Sequence, residues 1–599
     1  MATPPNKLSQ FWQELKRRNV VRVVTVYAGA AFVIIELINN ITEPLHLPNW
    51  THTLVIVLLS IGFPIVIIFS WIYDVRPEGG IVKTEPAEKV HAKDAPKSSN
   101  SWKIASYISF VVIIGLIVLN IFGGKRGAMI DESHAKSIAV LPFHNYSGDP
   151  DQDPMCLGLT NEVISHFFKV KSFDEVRSLT SVLQYRNSEH SATEIAQALN
   201  VNYVLEGSLN RINNDIRLTA QLIEPKSDHP LWTKDYDMQS SKVVGIPAEI
   251  ALNLAEHLKA FISEEELERI ERIPTLNEEA YRLIQKSKSS FYSHIGTATL
   301  EEIAWALQAT KLDPTYAEAF AWAGYLIFSQ GIVYGNKNVQ SVAWDALNNF
   351  EIALDLNQNN ATAHHGIAWI DEFQKYNYIS AETKYLKAIE LEPNNSASTF
   401  AYSDFMVRRS LFKQGLFYRY RTDSLNGSPA WDQHMWIHGL SGNVSKTIKI
   451  YESYVSNNDN IYAEIVGSSL VYIKEYLLSI PYLINYNFPR PKAHLALAYY
   501  YTGSYDKAES IVNELKSMSS QTTAGGPEFF VGFYYSGINE VDSAFFWLEK
   551  AYENRSPELS WLKTYPQFEN IKDDPRYWYL YERSGHKAYD EFLASKKKE

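Results

Sequence analysis

Residues 137–168 read SIAVLPFHNYSGDPDQDPMCLGLTNEVISHFF, and this stretch decides the fold of the middle of the chain. Ser137–Phe143 is a short apolar run of the kind that forms a buried strand. Thr160–Val170 is instead typical of a helix, because its large apolar residues recur at helical spacing. These residues are Val163, Ile164, Phe167 and Phe168. The stretch therefore predicts a strand, a polar loop and a helix.

The polar loop GDPDQDP raises the question of chemistry. Its carboxylates Asp149, Asp151 and Asp153 alternate, as they do in a calcium-binding loop. An EF-hand loop needs Gly at its sixth position and a carboxylate at its twelfth, where this chain has Pro154 and Thr160. A phosphate-binding loop needs several glycines and a following Lys, which this stretch does not supply. We interpret the loop as a solvated turn, with a metal site as the alternative.

The following residues predict the rest of a small α/β domain. Val176–Leu179 has the character of a strand, and Ala192–Leu199 that of a short helix. Tyr203–Arg211 and Ile216–Ile223 flank an Asn-Asn-Asp turn, which indicates a β-hairpin. In the second strand of this hairpin one face is apolar, through Ile216, Leu218, Ala220 and Leu222. We expect residues 134–240 to form a sheet with one face covered by helices.

Several separated motifs carry a resemblance to a known family. They are the opening stretch, then RSLTSVLQYRNS, then EIAQALNVNYVLEGSLNRINNDIRLTAQLIEPKSDHPLWTKDYD. Together they resemble the TolB N-terminal type of domain in bacterial proteins of membrane signalling and envelope function. The resemblance implies that tetratricopeptide repeats follow, behind a head that is a winged-helix DNA-binding domain, a nucleotide cyclase, a kinase or only membrane helices. The N-terminal motifs FWQELKRRNVVRVVTVYAGAAF and VRPEGGIVKTE also resemble the membrane head common in this group.

The C-terminal half of the chain carries a repeat. The small-large-small signature Ala346, Phe350, Ala353 recurs 35 residues later as Ala381, Tyr385, Ala388. Small residues let paired helices approach and large ones fill the gaps between pairs, so the pairs stack into a superhelix. The pattern predicts tetratricopeptide repeats over 276–560. Before them, an apolar stripe through Ile246, Ile250, Leu254 and Leu258 predicts a connecting helix over 241–272. The tail PELSWLKTYPQFENIKDDPRYWYLYERSG resembles the ending of tetratricopeptide regions in this group, which implies a cap over 561–599. Residues 405–485 fit the register poorly, and we expect diverged pairs there.

The first 125 residues contain long apolar runs. Leu54–Tyr73 has no charged residue in 20 positions, and Ile104–Phe122 has none in 19. Each run is long enough to cross a hydrocarbon core about 30 Å thick. Val20–Ile41 is a third candidate. The sequence therefore predicts transmembrane helices over 20–41, 54–73 and 104–122.

Lys and Arg residues set the expected orientation of these spans. They are dense in residues 1–19 and in the linker 74–103, which are therefore predicted to be cytoplasmic. The loop between the first two spans has none. The spans are therefore predicted to lie in a bacterial inner membrane, with the C-terminal region in the periplasm. Lys125 and Arg126, directly after the third span, mildly favour the opposite orientation. The linker is polar, and we expect it to be flexible.

Sequence motifs for catalysis are absent. The chain has no G-x-S-x-G, Walker loop, G-x-G-x-x-G or C-x-x-C pattern, and Cys156 is its only cysteine. His434 and His438 have a zinc-like spacing but no third ligand, and His364 and His365 fit helix packing better. We therefore predict no catalytic, cofactor-binding or metal-binding residues, no cofactor and no enzyme activity. The net charge of −12 predicts no nucleic-acid partner.

The predicted fold class is multidomain: three transmembrane α-helices, a small α/β (TolB N-terminal-like) domain, then an all-α tetratricopeptide repeat superhelix. The predicted function is that of a membrane-anchored, non-catalytic scaffold for envelope signalling or assembly. Its repeat groove would bind protein or peptide partners, and its three helices would contact membrane lipid. The alternative is a signalling protein related to adenylate cyclases or membrane transcription regulators, with the catalytic or DNA-binding head missing.

Overall fold

A computed structural model shows the architecture of the chain. It divides into two compact units, Met1–Gly127 and Ala128–Glu599, and each is described by itself. The residues that the structure describes are 20, 23–24, 26–31, 34, 50–76, 80–83, 136–212, 215–225, 229–294, 298–332, 339–457, 463–520 and 525–597.

In the first unit the elements with described bounds are a helix and a hairpin, and the described residues between 20 and 34 are also helical. Helix α1 spans Trp50–Ile72 and leads into the antiparallel strands β1 (Tyr73–Arg76) and β2 (Gly80–Lys83). The linker predicted to be flexible from residue 74 therefore begins as a β-hairpin. Its remaining residues, and the predicted span 104–122, lie outside the described residues.

The described helices correct the prediction of three membrane spans. A span requires about 20 continuous apolar residues in a helix. Among the residues described, no helix combines the length and the apolar character that a membrane crossing needs. This finding contradicts three predictions, which are therefore wrong. They are the transmembrane helices of the fold class, the inner-membrane location with a periplasmic C-terminal region, and the contact with membrane lipid.

The second unit begins with a six-stranded sheet. Its strand order is β5-β3-β6-β7-β8, and β4 also pairs with β6. The pairs β3–β5, β3–β6 and β4–β6 are parallel, whereas β6–β7 and β7–β8 are antiparallel. The strands are β3 (Ser137–Val140), β4 (His144–Asn145), β5 (Glu175–Val176), β6 (Tyr203–Ile212), β7 (Asp215–Glu224) and β8 (His229–Gln239).

Most of the predicted α/β elements are present. The hairpin β6–β7 is paired as expected, with Arg211 opposite Ile216. On β7 the predicted apolar face is buried, and Arg217 on the other face is exposed. The edge strand β8 was not predicted, because Pro230 and the charged pair Asp235 and Asp237 interrupt its apolar pattern. A small α/β region therefore precedes the helical part of the chain.

Helices cover this sheet and connect it to the rest of the unit. They are α2 (Asp153–Phe168), α3 (Leu179–Val182), α4 (Ala192–Leu199), α5 (Ile246–His257) and α6 (Glu264–Glu271). Helix α2 starts earlier than the predicted Thr160, because Pro154 occupies a favourable first-turn position. The predicted strand Val176–Leu179 is wrong beyond Val176, since Leu179 begins α3.

The predicted connecting helix over 241–272 is broken into two. Lys259 has a positive φ of 50°, a conformation that ends a helix. Ser263 then starts α6 with a capping box, in which its side chain accepts from the Glu266 N–H and Glu266 accepts from the Ser263 N–H. The apolar stripe behind the prediction runs through α5 and ends at Leu258, so it does not extend into α6.

The remainder of the unit is all helical in its described residues. These form eight successive helix pairs, α7/α8 to α21/α22, followed by two short 3₁₀ turns and by α23 and α24. The helices are α7 Glu278–Ser293, α8 Leu300–Leu312, α9 Ala317–Ile332, α10 Val339–Leu356, α11 Ala361–Phe373, α12 Tyr378–Leu391, α13 Ser396–Arg408, α14 Phe412–Asn426, α15 Trp431–Leu440, α16 Val444–Asn457, α17 Ala463–Tyr472, α18 Tyr476–Leu483, α19 Pro489–Tyr501, α20 Tyr505–Ser520, α21 Pro527–Gly537, α22 Val541–Glu553, α23 Pro575–Arg583 and α24 His586–Lys596.

One aromatic ring shows how neighbouring pairs fit together. Phe350 of α10 is fully buried between Gly324 of α9 and Gly366 of α11. A Cβ atom on Gly366 would lie 2.1 Å from the Phe350 ring, and one on Gly324 would lie 2.8 Å from it. The packing of this large residue against small ones is compatible with the predicted repeats; their tetratricopeptide type stays a prediction.

Candidate functional site

The chain's own C-terminal segment packs against the helical array. Residues 557–571 contain the 3₁₀ turns Pro557–Trp561 and Pro566–Ile571. Tyr565 lies at the centre of this segment, and its side chain is 2% exposed. Its ring centroid lies 5.6 Å from that of Tyr472 on α17 and 5.4 Å from that of Phe533 on α21.

Hydrogen bonds from side chains to backbone carbonyl oxygens fix the same segment to the end of helix α13. Arg409 donates to the carbonyl oxygen of Ser560 at 2.6 Å, and Thr564 donates to the carbonyl oxygen of Arg408 at 2.8 Å. The start of the predicted cap is therefore packed against the helical array, and the peptide-binding groove stays a prediction.

Arg177 joins the α/β domain to the helical array. Its side chain is fully buried and donates to the carbonyl oxygens of Leu199 and Asn200, each at 2.7 Å, within the α/β domain. It also donates to the carbonyl oxygen of Leu425 in α14 at 3.2 Å. Glu175 provides the counter-charge at 2.7 Å. A buried cation with this many partners fixes the geometry on both sides of the junction.

Two more side chains of the array bind the backbone of the α/β domain. The Asn394 amide donates to the carbonyl oxygens of Val170, at 3.0 Å, and Phe173, at 3.2 Å. Arg421 donates to the carbonyl oxygen of Asp174 at 3.0 Å. The contacts come from the turn after α12 and from α14. The α/β domain thus docks on one edge of the array, where successive pairs connect.

A polar pocket of about 440 Å³ lies at this junction. It is lined by residues of α2, α6, α7 and α9, by the turn 357–362 and by the end of α12. The close approach of α2 and α7 forms one wall. A Cβ atom on Gly158 would lie 2.5 Å from Gln285, whose amide donates to Glu162 at 3.0 Å. The volume is in the range of sites for small molecules.

The pocket lining carries charged side chains of both signs: Glu162, Glu268, Glu271, Glu318, Glu392, Lys169, Lys288, Arg269 and Arg272. Lys288 and Glu162 form an ion pair at 3.4 Å. Lys169 donates to the carbonyl oxygen of Arg269 at 3.3 Å instead. Glu392 accepts from the Asn395 amide at 2.7 Å.

Burial shifts the ionisation of these groups. It raises the pKa of both Glu318 and Glu392, and nearby Lys169 counteracts part of that change. Burial lowers the pKa of Lys169, while the three glutamates oppose this effect. Burial also holds the pKa of His166 far below its ordinary value, so its imidazole is neutral at pH 7. Burial therefore favours the neutral forms of Glu318, Glu392 and Lys169.

The acidic loop predicted as a turn has the contacts of a turn. Asp149 accepts from the Asp151 N–H at 3.0 Å and from the Gln152 amide at 3.1 Å. Asp153 accepts from the Asn145 amide at 2.7 Å. Asp149 thereby caps the 3₁₀ turn Pro150–Gln152 that precedes α2, and the loop lies outside the pocket lining.

The four histidines singled out in the sequence lie in the helical array. Nε2 of His434 lies 2.5 Å from a carboxylate oxygen of Asp423. His438 is a buried residue on the same helix, α15. Nε2 of His364 lies 2.9 Å from the carbonyl oxygen of Gln358. His365 packs among aromatic rings. The structure does not bring these histidines to the pocket.

Sequence reasoning missed the pocket because its lining residues are far apart in the chain. Glu162 and Glu392 are separated by 230 positions, and neither belongs to a local motif. Glu318 and Glu392 nevertheless share one feature that the helix pattern of the sequence could have shown. Each lies at a connection between helix pairs, Glu318 in the first turn of α9 and Glu392 directly after α12.

Comparison with known proteins relates the chain to signalling proteins. Residues 134–250 match the family model described as "HilA/YgeH-like transcriptional regulator, second domain". The chain is also 28% identical over 232 residues to the "Putative adenylate cyclase 3" of Rhizobium meliloti (strain 1021). That match covers 39% of this chain and 39% of the relative.

These matches bear on two predictions. The matched region 134–250 includes the predicted α/β domain 134–240, and the family that it resembles is described as the second domain of a transcriptional regulator. The exclusion of a nucleic-acid partner rested on net charge alone, and this relationship overturns it. Overall charge is a poor guide here, because a chain of −12 can still carry local basic surfaces. Together the matches support the signalling alternative better than the scaffold prediction.

Proposed function

We propose that the chain is a non-catalytic regulatory protein of a signalling system, of the kind to which transcription regulators and adenylate cyclases also belong. In this proposal the α/β domain and the helical array act as one body that receives a signal. The observation that carries it is the buried Arg177, which ties the family-matched domain to the array. The match to a regulator and to a cyclase relative supports a shared regulatory part.

The junction pocket is where such a body would receive its signal. A ligand in the pocket contacts α2 of the α/β domain together with α9 and the turn 357–362 of the array. Its binding free energy is then coupled to the fit between the two parts. A protein that transmits a signal needs ligand binding to be coupled to the fit between its parts. A protein that only holds a partner in a groove does not need this coupling.

The test combines biochemistry with genetics. The purified full chain is incubated with ATP and Mg²⁺ or Mn²⁺, and cyclic AMP is measured against a heat-inactivated control. We expect no cyclic AMP above the control. In a deletion strain of the source organism, we expect altered transcript levels that the full chain restores and the Arg177→Ala variant does not. Cyclic AMP formation by the purified chain, or an unchanged transcript profile, would contradict the proposal.

A further inference from the structure

Helix α18 has an apolar face that points away from the helices it packs against. Its buried residues are Ser479 and Leu483. Leu477 and Ile484, on the opposite side of the helix, are 73% and 53% exposed. We call the exposed apolar residues of this face and of the turn after it the α18 stripe: Leu477, Leu478, Pro481, Ile484 and Phe488.

No charged residue interrupts the α18 stripe. Residues 476–489 read YLLSIPYLINYNFP and contain no Asp, Glu, Lys or Arg, although 21% of the chain is charged. The exposed face of an amphipathic helix ordinarily carries charged and polar residues. A contiguous apolar patch in such a place indicates a surface that contacts another molecule.

Helices α16 and α20, the second helices of the neighbouring pairs, flank the α18 stripe. Tyr482 of α18 packs against Tyr451 of α16, with ring centroids 6.0 Å apart. Tyr476 of α18 stacks at 4.5 Å on Tyr501, the last residue of α19, and α20 begins four residues later at Tyr505. A stable interface buries about 800 Å² on each partner, which is more than five partly exposed side chains supply. A partner that covers the stripe therefore also contacts α16 and α20.

The two flanking helices differ in the sign of their exposed charges. The charged residues that α16 exposes are Lys446, Lys449 and Glu452. Those that α20 exposes are Asp506, Lys507, Glu509 and Glu514. Of the latter, Glu514 already pairs with Lys492 at 2.5 Å. The surface is thus apolar in the centre, mainly positive on the α16 side and mainly negative on the α20 side.

We propose that the α18 stripe is the contact surface for a second copy of this chain. A two-fold axis parallel to α18 places the two stripes on each other and α16 of each copy opposite α20 of the other. Charges of unlike sign then face each other on both sides of an apolar centre. A partner that carries a single sign of charge would be attracted by one flank and repelled by the other.

A two-fold axis perpendicular to α18 does not fit these charges. It would place α16 opposite α16 and α20 opposite α20, so that Asp506 and Glu509 meet the same carboxylates of the second copy. Like charges in these positions oppose association. The charge distribution therefore selects the arrangement in which the two α18 helices run parallel.

Sedimentation velocity of the full chain over a dilution series tests the dimer. We expect a concentration-dependent equilibrium between monomer and dimer. The double variant Leu477→Glu/Ile484→Glu brings carboxylates into the apolar centre and should weaken dimerisation at least tenfold. Leu300→Glu, at a position of α8 that is 66% exposed and outside these helices, is the matched control and should dimerise like the wild type. A wild type that stays monomeric, or a dimer that the double variant leaves unchanged, overturns the proposal.

Charge reversal tests the arrangement of the two copies. We expect weaker self-association in Lys446→Glu/Lys449→Glu and in Asp506→Lys/Glu509→Lys, because each variant gives α16 and α20 charges of the same sign. An equimolar mixture of these two variants should form a heterodimer, in which unlike charges face each other again. Self-association as strong as that of the wild type in both variants, or a mixture that stays monomeric, contradicts the parallel arrangement.

The changed residues are exposed, so the variants should keep the fold, and circular dichroism and urea unfolding verify this. The inference goes beyond the proposed regulatory function and does not depend on it. Cyclic AMP formation by the chain would leave a measured dimer in place, and a monomeric chain would leave the transcript experiment unaffected.

Discussion

The guanidinium of Arg177 donates to the carbonyl oxygen of Leu425 at 3.2 Å, across 248 positions of the sequence. The same group is held by two carbonyls of its own domain. Gly427, which has a φ of 79°, follows the last residue of α14. A Cβ atom on Gly427 would lie 2.8 Å from Nε of Arg177. The junction between the α/β domain and the array is therefore built closely around one charged side chain.

Replacing Arg177 by Ala is predicted to destabilise the second unit strongly. The variant removes the cation beside the buried Glu175 carboxylate and the donor to several carbonyl groups, and losses of this kind cost about 3–5 kcal/mol. The measurement is urea unfolding followed by circular dichroism. The control is Arg217→Ala, whose exposed ion pair with Asp237 contributes at most about 1 kcal/mol. Equal losses in both variants would show that the junction does not depend on Arg177.

Tyr565→Ala is predicted to cost about 3–5 kcal/mol, in the range for a large buried aromatic residue. The reason is that Tyr565 joins the C-terminal segment to Tyr472 and Phe533 in two different helix pairs. Chemical denaturation measures the loss. Tyr579→Ala serves as the control, since its side chain is 62% exposed, and should change stability by about 0.5 kcal/mol or less. A small effect at Tyr565 would mean that the segment is not an integral part of the array.

Gly366→Ala is predicted to destabilise the array even though Ala favours a helix by about 1 kcal/mol over Gly. The new methyl group would overlap the Phe350 ring, and overpacking of this kind costs about 1–3 kcal/mol. Thermal and urea unfolding measure the balance. Gly245→Ala, where nothing lies within 4 Å of the added atom, is the control. Adding Phe350→Leu to Gly366→Ala should recover part of the loss; no recovery would contradict the steric explanation.

The sequence predicted those parts of the fold that depend on local patterns. Helix Ala192–Leu199 was placed at its observed bounds, and the buried face of β7 was identified from its alternation. Phe350 was identified as a large residue of the repeat signature, and it does pack against small residues of neighbouring helices. Each of these features is encoded within a few residues of itself.

The features that were missed arise from contacts between distant segments. No local pattern indicates that Tyr565 packs among helices up to 93 positions earlier, or that Glu318 and Glu392 line one pocket. The apolar run from Leu54 predicted a membrane span from composition alone, whereas the described helices contain none that fits. Contacts between distant segments depend on the whole fold and not on one segment. The same is true of the surroundings of an apolar helix, whether membrane or protein.

The pH dependence of stability is predicted to include a contribution from His365. The imidazole packs against Trp369, with ring centroids 4.5 Å apart, and burial lowers its pKa to about 4. In the unfolded chain the ordinary value is about 6.5, so the unfolded state takes up a proton first as the pH falls. Stability is therefore fully present above pH 6.5 and is lost between pH 6.5 and about 4.

A His365→Gln variant isolates this contribution, because glutamine does not titrate. The difference in unfolding free energy between the wild type and the variant should be constant from pH 7.5 to 8.5. Below pH 6.5 it should shift in favour of the variant, by about 3 kcal/mol by pH 4, since each pKa unit corresponds to about 1.4 kcal/mol. Other buried histidines, such as His494, remain in both proteins and cancel in the difference. Parallel curves over the whole range would show that His365 is protonated as readily in the folded protein as in the unfolded chain.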